Sequence, residues 1–237
     1  MTGRPMQSET AGMKPPAQGI EDGPALRQQL MHVARTTLAR GLNVNKSGNV
    51  SVRCVRGGTE GMLITPTAIA YQDLTEQDLV FVNLRDGRSS GVRAPSSEWR
   101  IHLDILRARN EFGAIVHTHS PSATALSCHG LDLPPFHYMI AVCGGADVRC
   151  APYATFGTQE LSDHALAALA NRKACLLHSH GSVGCGVDLP DALAVAQELE
   201  HLAHIYLLAR QLGEPMHLSP AQMQSVIEKF RTSYGQR

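Results

Sequence analysis

No stretch of this chain approaches the roughly eighteen consecutive apolar residues that a membrane span requires, and the N-terminus lacks the apolar core of a secretory signal. Neither a bilayer nor export is expected, so the reading is of a cytoplasmic protein. Excess charge of either sign is also missing, since 21 Lys and Arg stand against 21 Asp and Glu. That balance leaves no electrostatic footprint for nucleic acid or an anionic membrane surface, and any anionic ligand has to be held locally. No two cysteines form C-x-x-C. The six (Cys54, Cys128, Cys143, Cys150, Cys175 and Cys185) are dispersed through a chain too large to need disulfide staples. Reduced, mostly buried thiols are expected, ranking below the histidines as metal ligands. Repeats, low-complexity tracts and internal linkers are absent as well, and 43% apolar residues are ample for a core. One domain is expected over residues 25–237, behind a polar, disordered leader at 1–24.

What the chain does carry is histidine in pairs. Ala114-Ile115-Val116 runs into His117-Thr118-His119 and stops at Ser120-Pro121, which reads as a buried strand ending at a turn. Side chains alternate along a strand, so His117 and His119 share a face and form a two-toothed clamp for a first-row cation such as zinc. A catalytic zinc usually takes three protein ligands, so a third must come from elsewhere. The same build recurs in Ala174-Cys175-Leu176-Leu177 followed by His178-Ser179-His180-Gly181. His178 and His180 are expected to share a face too, with His180 the better ligand because Gly181 permits close approach. The bland alternative for either pair is polar residues at a strand end. His201 and His204, beside Glu200, read as a solvated helix face.

The remaining pattern supplies a layered α/β frame. Helical spacing of apolar residues predicts helices over 24–40, 96–110, 158–171, 188–212 and 220–229, with a short one at 122–130. Alternation predicts a half-buried strand at 49–56, a turn at Gly57-Gly58, a return strand at 62–65 and another at 79–84. Helices and strands alternate irregularly, with hairpins, so the sheet should be mixed or antiparallel. Two loops offer neutral donors to an anion. Glycine in Ser47-Gly48-Asn49 lets backbone N–H groups approach, with the Asn49 amide beside them. Pro95-Ser96-Ser97-Glu98 is expected to open a helix, where two hydroxyls and unpaired N–H groups could hold a phosphate while Glu98 projects from the first turn. A plain turn and a plain helix cap are the competing readings. His102, four residues after Glu98, could orient a neighbour or simply pack.

Six segments in this order carry a resemblance: Ser47-Gly48-Asn49-Val50-Ser51-Val52-Arg53, Gly61-Met62-Leu63-Ile64-Thr65-Pro66-Thr67, Pro95-Ser96-Ser97-Glu98-Trp99-Arg100, His117-Thr118-His119-Ser120, Ala151-Pro152-Tyr153-Ala154-Thr155-Phe156-Gly157 and His180-Gly181. From about residue 25 onward the chain resembles the class II aldolase/adducin family, and within it the L-fuculose-1-phosphate aldolases. The resemblance implies an α/β/α single domain around a mixed, mainly antiparallel sheet. It implies one zinc per subunit on His117, His119 and His180, with Glu98 as a fourth ligand that can leave the metal and act as base. It implies a phosphate site at Gly48-Asn49, Thr67-Ala68 and Ser96-Ser97, with Ala68 standing where family members have glycine. Tyr138, reaching in from a neighbouring subunit, and the C-terminal Tyr234 would complete the catalytic set in a homotetramer with interfacial sites. The implied reaction cleaves a ketose 1-phosphate, L-fuculose 1-phosphate or a related deoxy-ketose 1-phosphate, to dihydroxyacetone phosphate and a short aldehyde such as L-lactaldehyde. Related sugar-phosphate 4-epimerases, dehydratases and decarboxylases are the alternatives within the family, and a non-catalytic adducin-like interaction module is the alternative outside enzymology.

Overall fold

The computed structural model describes residues 20–232. Its first element already departs from the expected leader. Strand β1 (Ile20–Glu21) pairs in parallel with Cys54 and Val55, and Asp22 binds Arg27 and Arg56, so residues 20–24 belong to the fold. Helix α1 (Pro24–Ala39) starts on a proline, which suits a position whose N–H would have no helical partner, and Gly41 follows it in the left-handed region. Strands β2 (Asn49–Arg56) and β3 (Thr59–Ile64) form the expected hairpin over Gly57-Gly58, and β4 (Val80–Asn83) and β5 (Ser89–Ser90) extend it.

Helix α2 (Trp99–Ala108) leads into β6 (Ala114–Thr118), and the short α3 (Pro121–Ser127) follows. The glycine- and proline-broken stretch after it holds a 3-10 turn at Tyr138–Cys143 and only a two-residue strand, β7 (Cys150–Ala151). Helix α4 (Gln159–Ala168) is capped by the Thr158 hydroxyl and precedes β8 (Ala174–Leu177). Strand β9 (Gly181–Gly186) then turns back beneath α5 (Leu189–Gln211), and α6 (Pro220–Thr232) closes the described chain.

Among the described residues one mixed, mainly antiparallel sheet holds nine strands in the order β5-β4-β3-β2-β6-β9-β8-β7, with β1 alongside β2. Only β1 with β2 and β7 with β8 run parallel. The expected single α/β domain on such a sheet is present, with helices on both faces. Met62, Ile64, Val80, Val82, Ile115 and Val183 pack with α2 and α4, while Val50, Val52, Leu63, Phe81 and Val116 pack with α1 and α5. The β2 strand is therefore buried on both faces rather than half-buried as its alternation suggested, because its polar positions are not solvated. Ser51 and Asn49 face α2, and His102 of α2 receives them.

Strand β9 had no signal in the sequence. Its Gly-Ser-Val-Gly-Cys-Gly composition is depleted in strand formers, but a Cβ at Gly186 would run into the Ala192 backbone, so glycine here lets α5 lie directly on the sheet. The other end of β9 leaves the β8–β9 turn, from which His180 projects. Glu200 on α5 is not the solvated residue expected. Its carboxylate accepts from the N–H groups of Ser122 and Ala123 at the start of α3, leaving His201 and His204 exposed beside it.

Candidate metal centre

Strand register assembles the centre. Asn49, His117 and Val183 lie side by side on β2, β6 and β9, so the first His-x-His ends where β9 begins. His117 is the penultimate residue of β6, and His119 stands one residue past its end with its backbone N–H held by the Asn43 side chain at 2.9 Å. His180 enters from the β8–β9 turn. The face-sharing expected of His178 and His180 fails, because β8 stops at Leu177 and Ser179 takes a left-handed φ of 56°. His178 points instead toward Gly130 and Tyr153, away from the cluster.

Glu98 comes from the other side. Helix α2 begins at Trp99, so Glu98 occupies the N-cap position rather than the first turn, and Ser96 and Ser97 precede the helix instead of opening it. The Ser96 hydroxyl accepts from the Glu98 N–H at 3.3 Å, and the Ser96 carbonyl accepts from Trp99. This tight loop buries the carboxylate. Glu98 Oε2 lies 3.1 Å from His117 Nε2, and Oε1 lies 3.0 Å from His180 Nε2. His117 Nε2 is 3.0 Å from His119 Nε2, and each pair among the three rings has centroids 4.9 Å apart.

The donor set fits a divalent cation. The Ser182 carbonyl can only accept, so His117 Nδ1, 2.9 Å away, donates to it and turns the Nε2 lone pair inward. His119 Nε2 lies 3.0 Å from that lone pair, close enough for the two nitrogens to share one cation. For metal–nitrogen bonds of about 2.0 Å, the edge of a coordination tetrahedron is roughly 3.3 Å, close to the spacings found here. Glu98, His117, His119 and His180 together could hold a metal, all their ligand atoms lying within 4.8 Å of one another.

Charge binds the cluster together without the cation. Burial alone would push the Glu98 carboxyl up, but the imidazoles of His117 and His180 outweigh it and hold it far below the usual carboxylate range. Burial would likewise lower His117, yet the Glu98 carboxylate raises it. Burial and its two neighbouring imidazoles depress His119 to about 4.

A cavity of about 360 Å³ opens beside the cluster. Its wall contains all six residues expected around a phosphate, Gly48, Asn49, Thr67, Ala68, Ser96 and Ser97, together with Glu98, His119 and His180. Thr67 spends its N–H on the Ala94 carbonyl, and Ala68 holds a left-handed φ of 59°, the conformation that glycine adopts without strain. Lys46 also lines this end, a cation that nothing in its Asn-Lys-Ser-Gly turn advertised. Tyr153 and Phe156, both largely exposed, form an aromatic wall opposite. Asn43 and Ser182 also escaped sequence reading, because each acts by holding a ligand's backbone or ring and neither lies in a motif. Tyr138 is absent from this cavity. It is 48% exposed on the 3-10 turn, stacked beside His137, and Tyr234 lies outside the described residues.

The comparisons agree with this architecture. The family described as Class II Aldolase and Adducin N-terminal domain matches residues 28–207. The 5-methylthioribulose-1-phosphate/5-deoxyribulose-1-phosphate aldolase of Rhodospirillum rubrum is 48% identical over 211 residues, 89% of this chain and 93% of that protein. The L-fuculose phosphate aldolase of Escherichia coli K12 is 45% identical over 213 residues, 90% of this chain and 96% of that protein. A solved L-fuculose 1-phosphate aldolase superposes with a TM-score of 0.84 at 38% identity, covering 88% of this chain and 97% of the other. The chain belongs to the class II aldolase/adducin family. These relatives, matched over nearly their whole length, are aldolases named for sugar phosphates, and this protein is a class II aldolase, a metal-dependent lyase.

Proposed function

We propose that this protein is a zinc-dependent aldolase that cleaves a deoxy-ketose 1-phosphate, L-fuculose 1-phosphate or a relative such as 5-deoxyribulose 1-phosphate, to dihydroxyacetone phosphate and a short aldehyde. The observation that carries the reading is a cluster of three imidazoles and a carboxylate of which His119, His180 and Glu98 line one cavity together with Lys46 and the hydroxyl-bearing Thr67, Ser96 and Ser97. Tyr153 and Phe156 support the deoxy preference, since an aromatic wall suits an apolar tail better than a hydroxyl-rich one. The two named relatives divide between these substrates.

His117, His119 and His180 would hold the zinc, with Glu98 beside them. Bound there, the cation would act as a Lewis acid toward the ketone and stabilise the charge that develops when the carbon–carbon bond breaks, a contribution of several kcal/mol. The loops at Gly48-Asn49, Thr67-Ala68 and Ser96-Ser97 fix the phosphate and so orient the carbonyl over the cluster. Glu98, ionised at rest, takes a proton from solvent and passes it to the enediolate carbon after cleavage. Its carboxylate is close enough to the cluster to move between ligand and base. Tyr138 takes the proton from the cleaved hydroxyl and does so from a neighbouring subunit, which its exposure and its absence from the lining of its own chain's cavity support. The assembly is accordingly a homotetramer with interfacial sites. A cytoplasmic location is supported by six free cysteines.

The test is a screen of ketose 1-phosphates with zinc-loaded protein, read by release of dihydroxyacetone phosphate. Release from a deoxy-ketose 1-phosphate supports the reading. Epimerisation, dehydration or decarboxylation without release would replace it. Glu98→Gln should retain most of the zinc and lose nearly all proton exchange on dihydroxyacetone phosphate; unchanged exchange would remove Glu98 from its role.

A further inference from the structure

Behind the cluster runs a line of side chains in which every polar atom has one available role. His102 lies one turn after Glu98 on α2 and is 1% exposed. Its imidazole bridges two positions of β2, with Nε2 2.5 Å from Asn49 Oδ1 and Nδ1 2.7 Å from Ser51 Oγ. Alternate residues on a strand share a face, so one ring can span both. The Asn49 amide nitrogen continues the line to Glu98 Oε2 at 3.0 Å. All four residues are buried.

The direction of this chain is set at one end. A carboxylate only accepts, so the Asn49 Nδ2 donates to Glu98 and its Oδ1 faces His102. His102 Nε2 must then carry the proton, Nδ1 must be bare, and the Ser51 hydroxyl must donate to it. The opposite tautomer would require Asn49 to turn its amide over and set a carbonyl oxygen against the carboxylate.

We propose that His102 is a positioning residue of this aldolase: its Nε2–H fixes the rotation of the Asn49 amide, and the amide holds Glu98 Oε2 where the carboxylate can exchange a proton with substrate. The proposal rests on Glu98 being the proton-transferring group in the reaction above. Burial keeps the ring neutral, lowering its pKa to about 3, as the chain requires at working pH. The charged and titratable groups that face His102 from its surroundings are Glu98 and His117, and neither is in hydrogen-bond contact with it.

Two measurements test this on the full-length, zinc-loaded protein. The first is a long-range proton–nitrogen NMR spectrum of protein carrying ¹⁵N-histidine, with the His102 signals identified by their absence in His102→Gln. A protonated Nε2 and bare Nδ1 from pH 6 to 8 is the expected result, and a protonated Nδ1 with bare Nε2 overturns the proposal. The second is proton exchange on dihydroxyacetone phosphate, with bound zinc counted alongside. His102→Phe keeps the ring's bulk and removes the donor; its maximal exchange rate should fall about 10- to 100-fold, because the Asn49 amide it releases loses its aim on a charged group, with zinc content unchanged and KM within about threefold. His102→Gln, which puts an amide N–H near the same place, should recover most of that rate. Equal losses in Phe and Gln, or a rise in KM with the rate unchanged, would reduce His102 to packing. Should His102→Phe fail to fold, Ser51→Ala serves, with an expected drop of about 2- to 10-fold, and no drop counts against the proposal. A wild type that exchanges no proton would overturn the aldolase reading itself, whereas exchange that survives His102→Phe would overturn only the role of His102.

Discussion

Gly181→Ala places one methyl group where the metal centre can least accommodate it. A Cβ at this position would sit 2.3 Å from the Thr118 carbonyl oxygen and 3.1 Å from His119 Cδ2, against 3.4–4 Å for ordinary contact. The β9 backbone must therefore retreat from β6 by about 1 Å, or the Thr118 peptide must give way, since neither neighbour is the far end of a flexible chain. His180 is the adjacent residue and moves with Gly181, while His119 is pushed from its other side. Metal–ligand distances tolerate about 0.2 Å, so a shift of this size breaks the arrangement of three nitrogens without touching any of them chemically. We expect zinc affinity to fall by at least about 100-fold and activity to fall with it. The fold itself should lose about 1–3 kcal/mol, the ordinary cost of overpacking. Competition against a chromophoric chelator measures the first, and chemical denaturation of the metal-free protein the second. Zinc affinity within about threefold of wild type would refute the argument that close approach at Gly181 builds the site.

Other substitutions examine separate parts of the account. Ala68 bears a left-handed φ of 59° in the cavity wall, so Ala68→Gly should stabilise the protein by about 0.5–1 kcal/mol, the relief of strain exceeding the added freedom of the unfolded chain; denaturation showing a loss instead would contradict this. The Asp22 side chain is enclosed and bound by Arg27 and Arg56 at 2.7 Å each. Burial raises its carboxyl, but the two guanidinium groups outweigh it and set the pKa below the usual value of 3.8. Its stabilisation is thus full above that value and lost as the pH falls through the depressed one. Asp22→Asn should cost about 2 kcal/mol at neutral pH, and the gap from wild type should close in strong acid. A gap that is constant with pH would show that the ion pairs contribute nothing.

Much of this architecture could be read from the residues because local chemistry and tertiary environment agreed. The strand at Asn49–Arg56, the helix from Pro24 and the long helix after Asp188 each carried period, turn and cap signals pointing one way. His117 and His119 come together at one cluster, as alternation predicted, because β6 runs to Thr118, one residue short of the end of the pair. His178 was not, since periodicity cannot tell where a strand stops and a turn begins, and Leu177 is the last paired residue. Strand β9 was missed because its glycines answer to the helix lying on it, a tertiary cause invisible in a local window. The serines before Glu98 were assigned to a helix that starts at Trp99, a shift that leaves them in the cavity wall but removes the helical donors expected there. Asn43, Ser182 and His102 went unread or undervalued for a shared reason. Each works through another side chain, and only the fold brings them together.

The central claim is that three imidazoles and one carboxylate from three separate segments meet around a single cation. Anomalous diffraction at the zinc edge from crystals of the zinc-loaded protein measures it directly. One peak per chain, about 2.0–2.1 Å from the Nε2 atoms of His117, His119 and His180, is the predicted result. Zinc bound elsewhere, with nothing above background between these three rings, would contradict the account.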